Sequence, residues 1–169
     1  MGIGSCDKIV PGMLLAAIRL DRPFIFIGGG QMFPVVYEGE RFGFVKGMEI
    51  ISQQYVRLQE GKLDPDVYEK QLEELTNCCG SSSGACGEMT TGNTMQLLTE
   101  ALGFSIPGSS TSVGVSAEKI RQAKATGKRI VELARKQIKP SQIFALNSLK
   151  NAMAVEMAIC GGTNSIVHL

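Results

Sequence analysis

Cys86 stands in the run Asn77-Cys78-Cys79-Gly80-Ser81-Ser82-Ser83-Gly84-Ala85-Cys86-Gly87, which passes through Met89 and Asn93-Thr94-Met95 into an apolar pattern of helical spacing. Small residues of this kind make a poor core. They leave backbone N–H groups accessible and let a ligand approach closely, and a thiolate just before a helix N-terminus is favoured in its charged form. A second grouping, Cys6-Asp7-Lys8, places a thiol, a hard oxygen donor and a cation at another loop-to-helix junction. Two thiolates on loops suit zinc, an iron–sulfur cluster, or no ligand at all. The chain has no Cys-x-x-Cys pair, and His168 is its only histidine, so the spacing of a structural zinc finger is absent. Cys78 and Cys79 read as neighbours of the loop rather than ligands, Cys160 as core on an apolar helix face, and His168 as structural. Asp7 alone is weak evidence for a hard cation, and on chemistry alone an Asp complementing a helix dipole is the better reading. The glycines at 28–30 and the 80–87 loop could each form an anion nest, but neither matches a Walker A or Gly-x-Gly-x-x-Gly pattern.

The elements that must position these residues follow from periodicity. Pro11-Gly12 opens a helix with Met13, Leu14, Ala17 and Ile18 on one face; Pro23 ends it, and Phe24 to Ile27 reads as a buried strand running into the glycines. Residues 33–43 read as irregular. Val45, Met48, Ile51, Tyr55 and Leu58 recur at helical spacing, and Asp64-Pro65 is an N-cap and first-turn proline for the next helix, faced by Tyr68, Leu72 and Leu75. From about Gly87 the pattern is helical through Met95, Leu98 and Leu102 to Gly103. Ser116 caps a long helix with an expected apolar face of Ile120, Ala123, Ile130, Leu133, Ala134 and Ile138, stopped at Pro140. Eight Lys or Arg against two Glu between 118 and 139 read as a solvated helix face. A final helix runs from Asn147 to Cys160 with Leu149, Met153 and Met157 in register. Helix, strand and glycine loop in alternation predict an α/β domain, with layered helices around a partly parallel sheet.

At 169 residues, 44% hydrophobic and 20% charged, the chain is long enough for one domain with a core. A net charge of +1 gives no global field for nucleic acid or a membrane surface, and no apolar stretch nears the roughly twenty residues of a spanning helix. Five cysteines, an odd number, behind an N-terminus without a secretory pattern fit free or metal-bound thiols in a reducing compartment, with the cytoplasm as the expected location.

Four motifs occur in an order that resembles the dihydroxy-acid and sugar-acid dehydratase family: Gly4-Ser5-Cys6-Asp7-Lys8 with Pro11-Gly12-Met13; Gly84-Ala85-Cys86-Gly87 with Met89 and Asn93-Thr94-Met95; Pro107-Gly108-Ser109-Ser110; and Gly161-Gly162-Thr163-Asn164. The resemblance covers nearly the whole chain. Members of the family are much longer, so residues 1–169 are expected to form a single partial α/β domain, the middle of an incomplete N-terminal domain. The resemblance implies that Cys6 and Cys86 are two of three cysteines holding an iron–sulfur cluster, 2Fe-2S or 4Fe-4S. It further implies that Asp7 binds a catalytic Mg2+, and that Lys8, carbamylated, binds the same ion. The third cysteine, further carboxylates and the serine thought to act as base fall outside the sequence.

The implied reaction is loss of water from a 2,3-dihydroxy acid to give a 2-oxo acid, a hydro-lyase step of branched-chain amino-acid biosynthesis. The expected substrate is 2,3-dihydroxy-3-methylbutanoate, with an aldonic acid or its phosphate as the alternative; Glu88, Thr90 and Gly92 depart from the residues many dihydroxy-acid dehydratases carry around this cysteine. Homodimerisation is expected in the full-length context. A non-catalytic, truncated metal-binding domain is the competing expectation, under which 169 residues alone are inactive. A thiol redox module is disfavoured by the missing Cys-x-x-Cys.

Overall fold

A computed structural model describes residues 1–169 as a mixed α/β chain, mostly helical. In order come β1 (Gly2–Gly4), α1 (Ile9–Leu20), β2 (Phe26–Gly28), β3 (Val35–Tyr37), β4 (Glu40–Phe42), α2 (Phe44–Gln59) and α3 (Pro65–Cys78). After them follow α4 (Thr91–Ala101), α5 (Ala117–Arg135), α6 (Pro140–Ile143), α7 (Leu146–Ala158) and α8 (Asn164–His168).

The segment from Phe26 to Met32 is the spine. β2 pairs in parallel with β1, Gly2 opposite Phe26 and Gly4 opposite Gly28. Beyond β2 the extended chain continues: the Gly29 N–H donates to Gly4 O at 2.8 Å, and Gln31 forms parallel bridges with Ala85 on one side and Val113 on the other. A parallel arrangement is normally buried on both faces, and Ile25, Phe26 and Ile27 are all buried. Along this spine the mouth of β1–α1 and the loop carrying Cys86 reach the same region.

The core forms where α1, β2, α4 and α7 meet, from Val10, Leu14, Phe26, Met95, Leu98, Leu102, Phe104 and Ala152. α4 is its centre and is buried on more than an apolar stripe. Asn93, Thr94, Gln96 and Thr99 are each no more than 2% exposed, and their polar side-chain atoms find partners within the chain except Asn93 Oδ1, which has none.

Several expectations are corrected. The stretch read as irregular is a hairpin: Val35 pairs with Phe42 and Tyr37 with Glu40 across a two-residue turn, Glu38 (φ 50°) and Gly39 (φ 82°). Two positive φ values at the central positions are the twist-matched turn for two antiparallel strands. The strand expected over Phe24 to Ile27 is displaced to Phe26–Gly28, and α4 starts at Thr91 rather than Gly87 because Asn93 holds residues 86–88 out of the helix. α5 buries Lys119, Gln122, Thr126 and Leu133, while Ile120 is 60% exposed, so of the expected apolar face only Leu133 is buried. On α7 the side that packs inward is Ala152 with Val155; Met153 and Met157 are exposed. Cys160, expected in the core, is exposed beyond the end of α7 with φ 51°.

Candidate active site

Cys6, Asp7 and Lys8 follow β1 and lead into α1, and all three are exposed. Asp7 takes a left-handed backbone (φ 40°), a conformation Asp tolerates better than most residues. The Cys6 carbonyl accepts from the Ile9 N–H at 3.1 Å, closing the turn. Lys8 Nζ lies 3.4 Å from Asp7 Oδ2. This solvent-facing pair contributes little stability, so the three side chains are free to engage a ligand.

Cys86 is half-buried on the other loop. Its neighbour Ala85 is locked to the spine: the Ala85 N–H donates to Gly30 O and the Met32 N–H to Ala85 O, both at 2.8 Å. Asn93 Nδ2 donates to the carbonyl oxygens of Cys86 and Glu88, pinning the loop to the first turn of α4.

One close approach joins the two loops. A Cβ placed on Gly92 would lie 2.8 Å from Ser5 O, 3.2 Å from Cys6 Cα and 3.4 Å from Ala85 Cβ. Ser5 and Cys6 on one loop, and Ala85, the neighbour of Cys86, on the other, therefore meet at one glycine at the start of α4. Gln96, one turn on, fixes the Cys6 side: its Nε2 donates to Ser5 O and its Oε1 accepts from the Gly30 N–H, each at 3.0 Å.

The Gly161-Gly162-Thr163-Asn164 loop docks on the same end of α4. The Gly162 N–H donates to Thr94 Oγ1 at 2.9 Å, and Asn164 Nδ2 to Thr91 Oγ1 at 3.0 Å. Pro107-Gly108-Ser109-Ser110 lies instead at the far end of α4, where Glu100 accepts from the N–H groups of Gly108 (2.6 Å) and Ser110 (3.1 Å). Lys119 donates to Gly28 O at 3.0 Å and to Ser109 O, tying that loop to the spine. Burial pushes the Lys119 ammonium below its ordinary value, against the opposing pull of Glu100 and Glu118.

The glycines at 28–30 are not an open anion nest, because the Gly29 and Gly30 amides donate to Gly4 O and Gln96 Oε1. Cys78 and Cys79 close α3, where Cys79 lies against Gly47. Burial raises the Cys79 thiol above its ordinary value, with a smaller contribution from Cys78. All five thiols are free, and no three His, Cys, Asp or Glu side chains gather into a metal-binding group within this chain. No helix is long and apolar enough to cross a membrane. Gln96 carries no signal in the sequence as a site-builder, Asn93 stands in a motif, and Glu88 and Gly92 are distinguished only as departures from residues common around this cysteine.

The family described as "Dihydroxy-acid/6-phosphogluconate dehydratase N-terminal" matches residues 1–169. This chain belongs to that family. It is 42% identical over 167 residues to a dihydroxy-acid dehydratase of Pyrococcus abyssi, 41% to one of Ignicoccus hospitalis and 39% to one of Methanococcus vannielii. Each match takes in 99% of this chain and 29% of the relative, so the chain spans less than a third of the length of these proteins.

Proposed function

We propose that this chain supplies the Cys6 and Cys86 ligands of an iron–sulfur cluster and the Asp7 and Lys8 ligands of Mg2+ in a dehydratase that converts a 2,3-dihydroxy acid to a 2-oxo acid. The observation that carries the reading is the convergence of both loops on Gly92. The donor set fits: two unpaired, accessible thiols on loops held by backbone bonds, and beside one of them an exposed carboxylate. Thiolates suit iron and carboxylate oxygen suits a hard divalent ion.

When bound, these groups supply Lewis acidity at the oxygens on C2 and C3 of the substrate. The chain's own residues do the placing. Asp7 offers oxygen to the cation, with its left-handed backbone fixing the direction in which the side chain leaves. Lys8 as an ammonium opposes a second positive charge. Its neutral amine, on adding carbon dioxide and releasing a proton, becomes an anionic oxygen donor suited to the same ion. The third thiolate, the further carboxylates and the base that removes the C2 proton belong, on this reading, to the length of the relatives that this chain does not span.

The three relatives share the name dihydroxy-acid dehydratase, which favours the branched-chain precursor 2,3-dihydroxy-3-methylbutanoate over a sugar acid. Action in the cytoplasm and as a homodimer accompanies that reading. The test is anaerobic reconstitution of the intact protein followed by iron and sulfide analysis. Cys6→Ser and Cys86→Ser are each expected to lower cluster content sharply while Cys78→Ser and Cys160→Ser leave it unchanged; full cluster content in both of the first two variants would defeat the assignment.

A further inference from the structure

The peptide groups that follow Cys86 are turned in one direction by a single buried side chain. Asn93 is 2% exposed and spends both hydrogens of Nδ2 on the carbonyl oxygens of Cys86 and Glu88. No peptide bond in the chain is cis. In a trans peptide the N–H points opposite to the C=O, so the N–H of Gly87 opposes the Cys86 carbonyl and that of Met89 opposes the Glu88 carbonyl. With both carbonyls drawn inward to Asn93, both amides face away from α4. Neither donates to any backbone or side-chain acceptor, although Thr90, next in sequence, donates its own N–H to Glu88 O at 2.8 Å. Gly87 and Met89 are exposed.

We propose that Asn93 is a positioning residue that orients the Gly87 and Met89 amides as hydrogen-bond donors to sulfur at the Cys86 site. The inference rests on the reading of Cys86 as a cluster ligand. Amides donating to thiolate or sulfide sulfur offset negative charge and stabilise the reduced cluster, which raises its potential and slows loss of iron. Asn93 touches neither sulfur nor substrate and acts through the backbone it holds.

The test uses the intact, anaerobically reconstituted protein and two readouts independent of turnover. Asn93→Ala, which removes the donors, and Asn93→Asp, which sets a carboxylate against the two carbonyls, are expected to lower the reduction potential in a redox titration followed by electron paramagnetic resonance. They are also expected to lose iron to a chelator about 10- to 100-fold faster than the parent. An unchanged potential and chelation rate in variants that retain the parent's circular dichroism would overturn the proposal. Should the variants fail to fold, hydrogen exchange on the parent decides. The Gly87 and Met89 amides are expected to exchange more slowly in the cluster-loaded than in the metal-free protein, and equal rates overturn the proposal. If the parent takes up no iron, the cluster reading itself fails and this inference falls with it, an outcome distinct from a loaded parent matched by its variants.

Discussion

A methyl group at Gly92 sets what the helix prefers against the close approach of Ser5 and Cys6. Alanine inside a helix is favoured over glycine by about 1 kcal/mol, and Gly92 has no positive φ to forbid it. Yet its Cβ would meet Ser5 O at 2.8 Å and Cys6 Cα at 3.2 Å, both fixed by the Gln96 contact and the β1–β2 pairing. Gly92→Ala is expected to keep helical content while reducing iron bound after reconstitution, as measured by circular dichroism and metal analysis on one sample; full iron content would show that the approach of the loops is not needed. Lys119 couples stability to pH. Its pKa is lowered from 10.5, chiefly by burial, so the unfolded chain holds more protons in the window below that value. Stability contributed by this group therefore rises with pH across the window, and the cost of the buried charge is present in full below it. Tyr37, raised from 10.0 mainly by burial, works in the opposite direction in the alkaline range. The difference between parent and Lys119→Met in denaturant midpoint should accordingly shift with pH in the alkaline range, and a pH-independent difference would refute the linkage.

Among the elements, α2 is capped from a distance. Its N-cap position is Gly43, which has no side chain to offer, and the acceptor comes from Glu88, whose Oε1 takes the Val45 N–H at 2.8 Å. Glu88 packs so closely over Gly43 that a Cβ there would lie 2.0 Å from Oε1. Glu88→Ala is expected to cost about 0.5–2 kcal/mol, as loss of a helix cap does. Glu88→Gln, which keeps an acceptor but removes the charge complementing the helix dipole, should cost less, about 0.3–1 kcal/mol. Equal losses in urea titrations would mean that the hydrogen bond is not what Glu88 contributes. Local rules were legible where cap and helix adjoin: Asp64 does accept from the Asp66 N–H, and Ser116 from that of Lys119. The core positions Leu14, Met95, Leu98 and Leu102 were equally readable, because their burial is apolar and periodic. The buried face of α5 was hidden because its Lys119 and Gln122 are satisfied by carbonyls of Gly28, Ser109 and Gly108, and a reading by apolar spacing assigns such residues to solvent. Glu38 hid the hairpin in the same way, by taking a left-handed turn position more often filled by Asn or Gly. Around the candidate site, Gln96 and Glu88 act on partners distant in sequence, which no local pattern reveals.

Taken whole, the molecule has a core and an arm that share no core residue. The buried cluster draws on α1, β2, α4, the segment after it and α7, and on nothing between β3 and α3. The β3–β4 hairpin, α2 and α3 pack chiefly on one another, around Leu75 and the tilted pair Tyr55 and Tyr68. The arm is tied back at few points, and they fall on the loop that carries Cys86 and on the chain entering the hairpin: Val45 N–H to Glu88, the Phe33 N–H to Ser82 Oγ at 2.9 Å, and Ser81 Oγ to Phe33 O at 2.6 Å. Regions with few shared apolar contacts open below the global unfolding free energy. Amides of α2 and α3 are therefore expected to exchange faster than those of α4 in native-state hydrogen exchange. The double variant Ser81→Ala with Ser82→Ala should accelerate α2 and α3 further while leaving α4 at the parent rate. If instead all three helices exchange with one free energy and respond together, arm and core form a single cooperative unit. The ties fall at residues 81–88, so motion of the arm would be felt first there, and on the proposed cluster reading a protein whose arm is loosened should also retain less iron after reconstitution.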